Sequence, residues 1–200
     1  MNEPDHYFSA RPATPDERRT ITVELAGRPV SVETAGGVFS PGHVDLGTRV
    51  LLREVPDPPQ IGDLLDLGCG WGPLALTMAL LSPAARVWAV DVNERALDLV
   101  RANAERLGLV NVTAARPDEV PATVSFGAIW SNPPIRVGKD ALHELLAHWL
   151  PRLAPGGQAW LVVGKHLGAD PLARWLSDEL ALPVERATSA KGFRVLTVAP

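Results

Sequence analysis

Apolar and polar residues alternate early in the chain, and the period then changes. In "TITVELAGRPVSVET" (20–34), Ile21, Val23 and Leu25 share one face, and Val30 and Val32 repeat the pattern beyond "AGR", which predicts a β-hairpin. A Gly-rich loop, "AGGVFSPGHVDLGT", leads into helical spacing from Asp45 to Val55. The rigid "PDPPQ" at 56–60 marks a boundary, with a hairpin-and-helix extension in 1–58 packed on a main domain in 59–200. Beyond it, "GDLLDLG", "ARVWAVD", "VNVTAA", "SFGAIWSN" and "GGQAWLVVG" read as strands. Helical patterns fall at 73–82, 93–107, 139–150 and 170–181. The tail, "LPVERATSAKGFRVLTVA", reads as two strands joined around Lys191-Gly192. Seven strands interleaved with helices predict an α/β fold: a doubly wound, mostly parallel sheet closed by a C-terminal antiparallel hairpin.

Composition bounds this picture. With 46% apolar residues in 200, the chain can build a full core without disulfides, and its single cysteine, Cys69, allows none within the chain. That fits a reducing compartment. "MNEPDHYFSARP" has neither the cationic nor the apolar region of a secretory signal, and no apolar run is long enough for a membrane span. The expectation is a soluble cytoplasmic protein with no membrane partner. A net charge of −4 and a pI of about 5.7 are not the footprint of a basic nucleic-acid-binding domain, although Arg186, Lys191 and Arg194 form a local basic stretch. The five histidines lack metal-ligand spacing and no Cys pair joins them, so no metal is expected.

The densest chemical signal is "LLDLGCGWGPLAL" (64–76). A buried strand ends at Asp66, and Gly68, Gly70 and Gly72 lead into a helix. Glycines there permit a tight turn and close approach of a ligand to the backbone. Such a turn alone would serve NAD, another nucleotide or nothing, with Asp66 merely capping the helix. The G-x-G-x-G spacing is not the dinucleotide fingerprint, however. A carboxylate at Asp66 repels pyrophosphate but holds an ammonium. The next strand ends in Asp91, an acid placed for two ribose hydroxyls. An adenosine, a cationic amine and no phosphate describe S-adenosyl-L-methionine. The cofactor-binding candidates are Asp66, Gly68, Cys69, Gly70, Asp91, Val92, Asp118 and Asn132. Asp118, in "RPDEVP", is placed either to accept from the adenine amine or to serve as a solvated turn acid. Cys69 reads as a small packing residue rather than a nucleophile.

"SNPPI" (131–135) ends the fourth strand at the carboxyl edge, where ligands bind in open parallel sheets. It is either a turn that stops a strand or a bracket. As a bracket, the Asn132 side-chain oxygen and the Pro133 carbonyl grip the hydrogens of a weakly nucleophilic amine, and those bonds strengthen as the nitrogen gains a methyl group and positive charge. Pro133 and Pro134 hold both acceptors in place beforehand. Arg136 and Lys139 follow, either as phosphate contacts or as solvated loop charges.

"DLGCGWG", "VDVNERAL" and "SNPPI" together resemble class I S-adenosylmethionine methyltransferases acting on amino nitrogen. "HYFSARP", "GGVFSPGHVDLGT", "SNPPIRVGK" and "KGFRVL" more narrowly resemble the catalytic domain of the ribosomal small-subunit methyltransferase C family, over nearly the whole chain from His6. The resemblance implies a Rossmann-like methyltransferase fold and methylation of N2 of a guanine in 16S ribosomal RNA, with ribosomal RNA or the small subunit as partner. It assigns Asp66, Gly68 and Gly70 to the cofactor's methionine, Asp91 to its ribose, and Asn132 and Pro133 to the target amine. Phe39 and Asp45 would lie beside the reacting centre; their plainer roles are core packing and helix capping. Two features depart from the family. Ile135 stands where many amino methyltransferases carry an aromatic that stacks on a flipped base, and the chain carries only the catalytic copy of a domain that some members duplicate. The same chemistry on a protein glutamine amide or a small amine is the second expectation. A non-catalytic cofactor-binding module is the third.

Overall fold

The structure, a computed structural model, describes residues 17–200, apart from the side chain of Arg136. The "HYFSARP" stretch lies outside the described residues. Strands β1 (Arg19–Leu25) and β2 (Arg28–Thr34) form the antiparallel hairpin, with Ala26 and Gly27 turning at positive φ. The alternation works as read: Leu25, Val30 and Val32 are buried while Thr22, Glu24 and Ser31 are exposed. Helix α1 (Leu46–Glu54) follows.

Seven further strands make one sheet: β3 (Asp63–Leu67), β4 (Arg86–Val90), β5 (Val112–Ala115), β6 (Phe126–Ser131), β7 (Leu153–Gly164), β8 (Val184–Ala190) and β9 (Phe193–Val198). Their order is β5-β4-β3-β6-β7-β9-β8, parallel through β7 and antiparallel at β9 and β8. The connecting helices are α2 (Pro73–Leu81), α3 (Glu94–Leu107), α4 (Lys139–Trp149) and α5 (Ala169–Glu179). The expected doubly wound sheet, with both hairpins, is what the chain forms.

Side-chain alternation along the strands divides the core. Leu64, Val87 and Ala89 face Val50, Leu51, Leu74, Met78, Leu97 and Val100 of α1 to α3. Leu65, Leu67 and Val90 face the layer containing Leu142, Leu146, Leu172 and Leu176 of α4 and α5. The N-terminal hairpin packs outside α2 and α3, where Leu25, Val30 and Val32 meet Trp71, Leu76, Ala96 and Leu99. The chain order reverses between β3 and β6. The crevice at that switch point, outside the strands' carboxyl ends, is where open α/β sheets bind ligands.

Helix ends shift by one or two residues from the sequence reading, and two departures are larger. β7 begins at Leu153 rather than at the Gly pair, because its first residues pair irregularly with Phe126 before the regular register starts at Gln158. Ile135–Val137 form a single 3₁₀ turn, which carries the chain from the prolines into α4.

Candidate active site

At the end of β3 the chain folds back on β4. The Gly68 and Cys69 amides both donate to the Val90 carbonyl, at 2.9 and 3.0 Å. Gly68 and Gly70 take φ of 76° and 55°, the left-handed region that favours glycine, and a Cβ on either would meet nothing closer than 3.8 Å. The turn is therefore open on its cleft side. Asp91 fixes its far end: Oδ2 accepts from the Gly70 amide at 2.9 Å and Oδ1 from the Asn93 amide at 2.9 Å. Burial pushes the Asp91 carboxyl up, and those backbone donors pull it partly back.

Asp66 is enclosed more completely. Its Oδ2 accepts from the Ala75 amide in the first turn of α2 at 2.8 Å, so it does cap that helix. Its Oδ1 has no hydrogen-bond partner among the described residues, in a side chain 1% exposed. Desolvation dominates and pushes the carboxyl up to about 8. A small inner cavity of about 20 Å³ lies here, lined by Phe39, Asp45, Thr48, Cys69 and Asn132 among others. Cys69 is buried and its thiol is pushed well up by burial and the two nearby acids, consistent with a packing residue.

The "SNPPI" bracket sits beside this turn. The Ser131 hydroxyl donates to the Leu67 carbonyl at 2.7 Å, tying β6 to β3. The Asn132 amide nitrogen donates twice, to Asp45 Oδ2 at 3.0 Å and Thr48 Oγ1 at 3.1 Å. A carboxylate only accepts, so this pairing fixes which end of the amide faces Asp45 and leaves the amide oxygen as the end available for a ligand. Asp45 simultaneously caps α1, its Oδ2 accepting from Gly47 N at 2.8 Å and Thr48 N at 3.4 Å. The Pro133 carbonyl accepts from Ile135 N at 2.8 Å, which uses one of its two lone-pair directions.

These elements enclose a cleft of about 330 Å³. Phe39, Asp45, Gly68, Gly70, Asp91, Val92, Asn132, Pro133, Pro134 and Ile135 all line it. Asp66 and Cys69 lie behind it on the inner cavity. The segment carrying Phe39 is bolted down: Asn93 Nδ2 donates to Gly37 O at 2.8 Å, Arg95 to Gly36 O at 2.7 Å and Trp71 Nε1 to Ser40 O at 3.2 Å. Asp118 is not brought in. Its exposed carboxylate meets the Arg116 guanidinium at 3.3 Å, because Glu119 accepts from Arg116 N and closes a 3₁₀ turn that aims residue 118 outward; Pro117 lines the cleft instead. Lys139 is exposed at the start of α4, away from the lining, and the Arg136 side chain lies outside the described residues. Sequence reasoning singled out neither Thr48 nor Phe193, although each stands in a motif it quoted. Among the described residues there is no His, Cys, Asp or Glu cluster fit to hold a metal ion and no helix long and apolar enough to cross a membrane.

An open glycine turn, an acid that fastens it, a buried carboxylate with an unused oxygen and an oriented amide meet at this cleft and the cavity behind it. The pattern of the methyltransferase small domain matches residues 29–197, and the chain belongs to that family; it is an S-adenosylmethionine-dependent methyltransferase. The YbxB protein of Bacillus subtilis is 33% identical over 195 residues, 96% of each chain. A protein of Ectopseudomonas mendocina named ribosomal RNA small subunit methyltransferase C is 34% identical over 191 residues, 92% of this chain and 56% of that one. The chain thus spans about half the length of the relatives bearing that name. The solved 16S rRNA N2-guanine methyltransferase of T. thermophilus, in complex with AdoMet and guanosine, superposes with a TM-score of 0.78 at 26% identity, covering 94% of this chain and 52% of that one.

The residues present fit such a cofactor. The unused Asp66 oxygen would receive an ammonium, the open turn at Gly68 and Gly70 would admit a chain against the backbone, and Asp91 retains accepting capacity for hydroxyls.

Proposed function

We propose that this methyltransferase acts on the exocyclic N2 amine of a guanine in ribosomal RNA. The observation that carries the amine chemistry is the state of Asn132: both amide hydrogens are taken by Asp45 and Thr48, so the amide presents an acceptor. When bound, S-adenosylmethionine supplies an electrophilic methyl group on a sulfonium. Asn132 Oδ1 and the remaining lone pair of Pro133 O accept the two hydrogens of the target amine and turn its lone pair toward that methyl. Both bonds strengthen as the nitrogen becomes positive, so they favour the transition state over the bound substrate. Asn132 takes no proton; the surplus proton leaves to water. Pro133 and Pro134 keep the acceptors in position, and Asp45 and Thr48 keep the amide from turning.

Guanine as the acceptor is supported by the relatives named for small-subunit ribosomal RNA and by the T. thermophilus enzyme's guanosine. Phosphate contacts by Arg136 and Lys139, which follow the Asn-Pro-Pro bracket in the chain, belong to the same reading. The test supplies labelled cofactor with purified 30S subunits, naked 16S RNA and total cell protein. Label is expected in RNA, at a guanine; label confined to protein would replace this reading with amide methylation. Asn132→Ala is expected to bind cofactor as the parent does and to lose transfer by ~10²–10³-fold, the usual effect of removing one hydrogen-bonding group aimed at developing charge. Unchanged transfer in that variant would refute the clamp.

A further inference from the structure

Asn132 divides the cleft. On one side lie the glycine turn, Asp91, Val92 and Pro117. On the other lie Ile135, Leu145, Val162, Leu167 and Phe193, brought together from the 3₁₀ turn after the prolines, α4, β7, the 3₁₀ turn Lys165–Leu167 and β9. This second half is apolar and carries one aromatic ring among the described residues, that of Phe193. Ile135 offers apolar contact but no π face.

We propose that Phe193 is the stacking surface for the planar ring of the acceptor, supplying from β9 the aromatic face that residue 135 lacks. This rests on the reading that the acceptor is a nucleobase. Three observations carry it. First, the ring is held in place by a close approach that only glycine permits. A Cβ on Gly47 would lie 2.9 Å from Phe193 Cε1 and 3.2 Å from Cδ1. Second, that same Cβ would stand 3.0 Å from Asp45 Oδ2, the oxygen that accepts from both Gly47 N and Asn132 Nδ2. One turn therefore locates the ring and the amine acceptor together, the requirement for a flat substrate that must be stacked and hydrogen-bonded at once. Third, the backbone around the ring is pinned: Phe193 pairs with Gly164 across the sheet, and Lys165 N donates to Gly192 O at 2.8 Å. Phe39, the other ring on the cleft, does not compete for this role. It lies beside the glycine turn, its Cβ 4.0 Å from where a Cβ on Gly70 would stand.

The test is steady-state methylation of 16S RNA and of free guanosine by the parent and by Phe193→Leu, Phe193→Met and Phe193→Tyr. Leu and Met keep apolar bulk and remove the π face; Tyr keeps it. Loss of stacking on one base is expected to raise the acceptor KM by ~10- to 100-fold in the Leu and Met variants, with kcat changed far less and cofactor affinity unchanged. Phe193→Tyr is expected to restore the parental KM, and adding Ile135→Phe to Phe193→Leu to recover part of the loss. Phe193→Met covers the case in which Phe193→Leu fails to fold. Parental acceptor KM in either ring-less variant, or a Phe193→Tyr variant as impaired as Phe193→Leu, overturns the proposal. A parent that labels only protein would overturn the nucleobase reading itself, a separate outcome from an active parent indifferent to residue 193.

Discussion

Replacing Asp66 by Asn should make the cofactor-free protein more stable while disabling it. The Asp66 carboxyl is pushed up to about 8 by burial, against an ordinary value of 3.8. Between those values the folded protein holds about one proton more than the unfolded chain. Unfolding free energy therefore carries no penalty from this group below about pH 4, falls as pH rises from about 4 toward 8, and is level above that, with a slope of ~1.4 kcal/mol per pH unit. At pH 7 the accumulated cost is ~4 kcal/mol. Asn keeps the shape and an oxygen for the Ala75 amide but has no charge to bury, so ~4 kcal/mol is the ceiling on the gain at pH 7, less whatever the unpaired amide hydrogens cost in the inner cavity. Urea unfolding of the cofactor-free parent and variant at pH 5, 6, 7 and 8 measures this: the parent's stability should fall across the series by about one proton's worth of slope more than the variant's. Pairing Asp66 with an ammonium requires the ionised carboxylate. Calorimetry near pH 6.5, in buffers of different ionisation enthalpy, should therefore show the parent releasing close to one proton on binding cofactor. The variant should release none and bind ~10- to 100-fold more weakly, the worth of a charge-assisted hydrogen bond. A variant less stable than the parent at pH 7 with an unchanged pH slope, or one that binds cofactor normally, would refute this reasoning.

Asp91→Ala frees the amides of Gly70 and Asn93 together and removes the acceptor proposed for the ribose. Cofactor affinity by equilibrium dialysis should fall by ~10-fold or more, and a parental dissociation constant would sink the assignment. Thr48→Val deletes one of the two acceptors that orient Asn132 while preserving the side-chain shape. We expect kcat to drop ~10-fold with cofactor affinity intact and Thr48→Ser to restore it; equal kcat in Thr48→Val would show that Asp45 alone suffices.

Periodicity placed most strands and helices, because β3, β4 and β6 are nearly continuous apolar runs, β1 and β2 alternate, and α1, α3, α4 and α5 carry an apolar stripe, whereas α2 is apolar nearly all round. The cleft was legible at positions where a residue type is chemically unusual for its place: three glycines after a strand, an acid at two successive strand ends, two prolines at a third. For Asp118 the one-dimensional string left two readings open, an adenine contact and a solvated turn acid. Its direction depends on a short 3₁₀ turn closed by Glu119, a local hydrogen bond that no periodicity reports. Thr48 and Phe193 were invisible as site residues for a different reason. A threonine in the first turn of a helix and a phenylalanine opening a strand are ordinary, and their significance lies in contacts with Asn132, 84 residues away, and with Gly47 in another layer. The start of β7 was misjudged because its first residues pair out of regular register.

Asp45 Oδ2 accepts from Gly47, Thr48 and Asn132, and the last of these lies 87 residues further along the chain. During synthesis from the N-terminus, residue 45 emerges long before its partner, and Phe193 emerges later still. The proposed clamp cannot form before β6 is made, and Phe193 takes its place only when β9 pairs with β7. On the proposed reading, transfer therefore waits until nearly the whole chain has been made and the sheet has closed at its antiparallel edge.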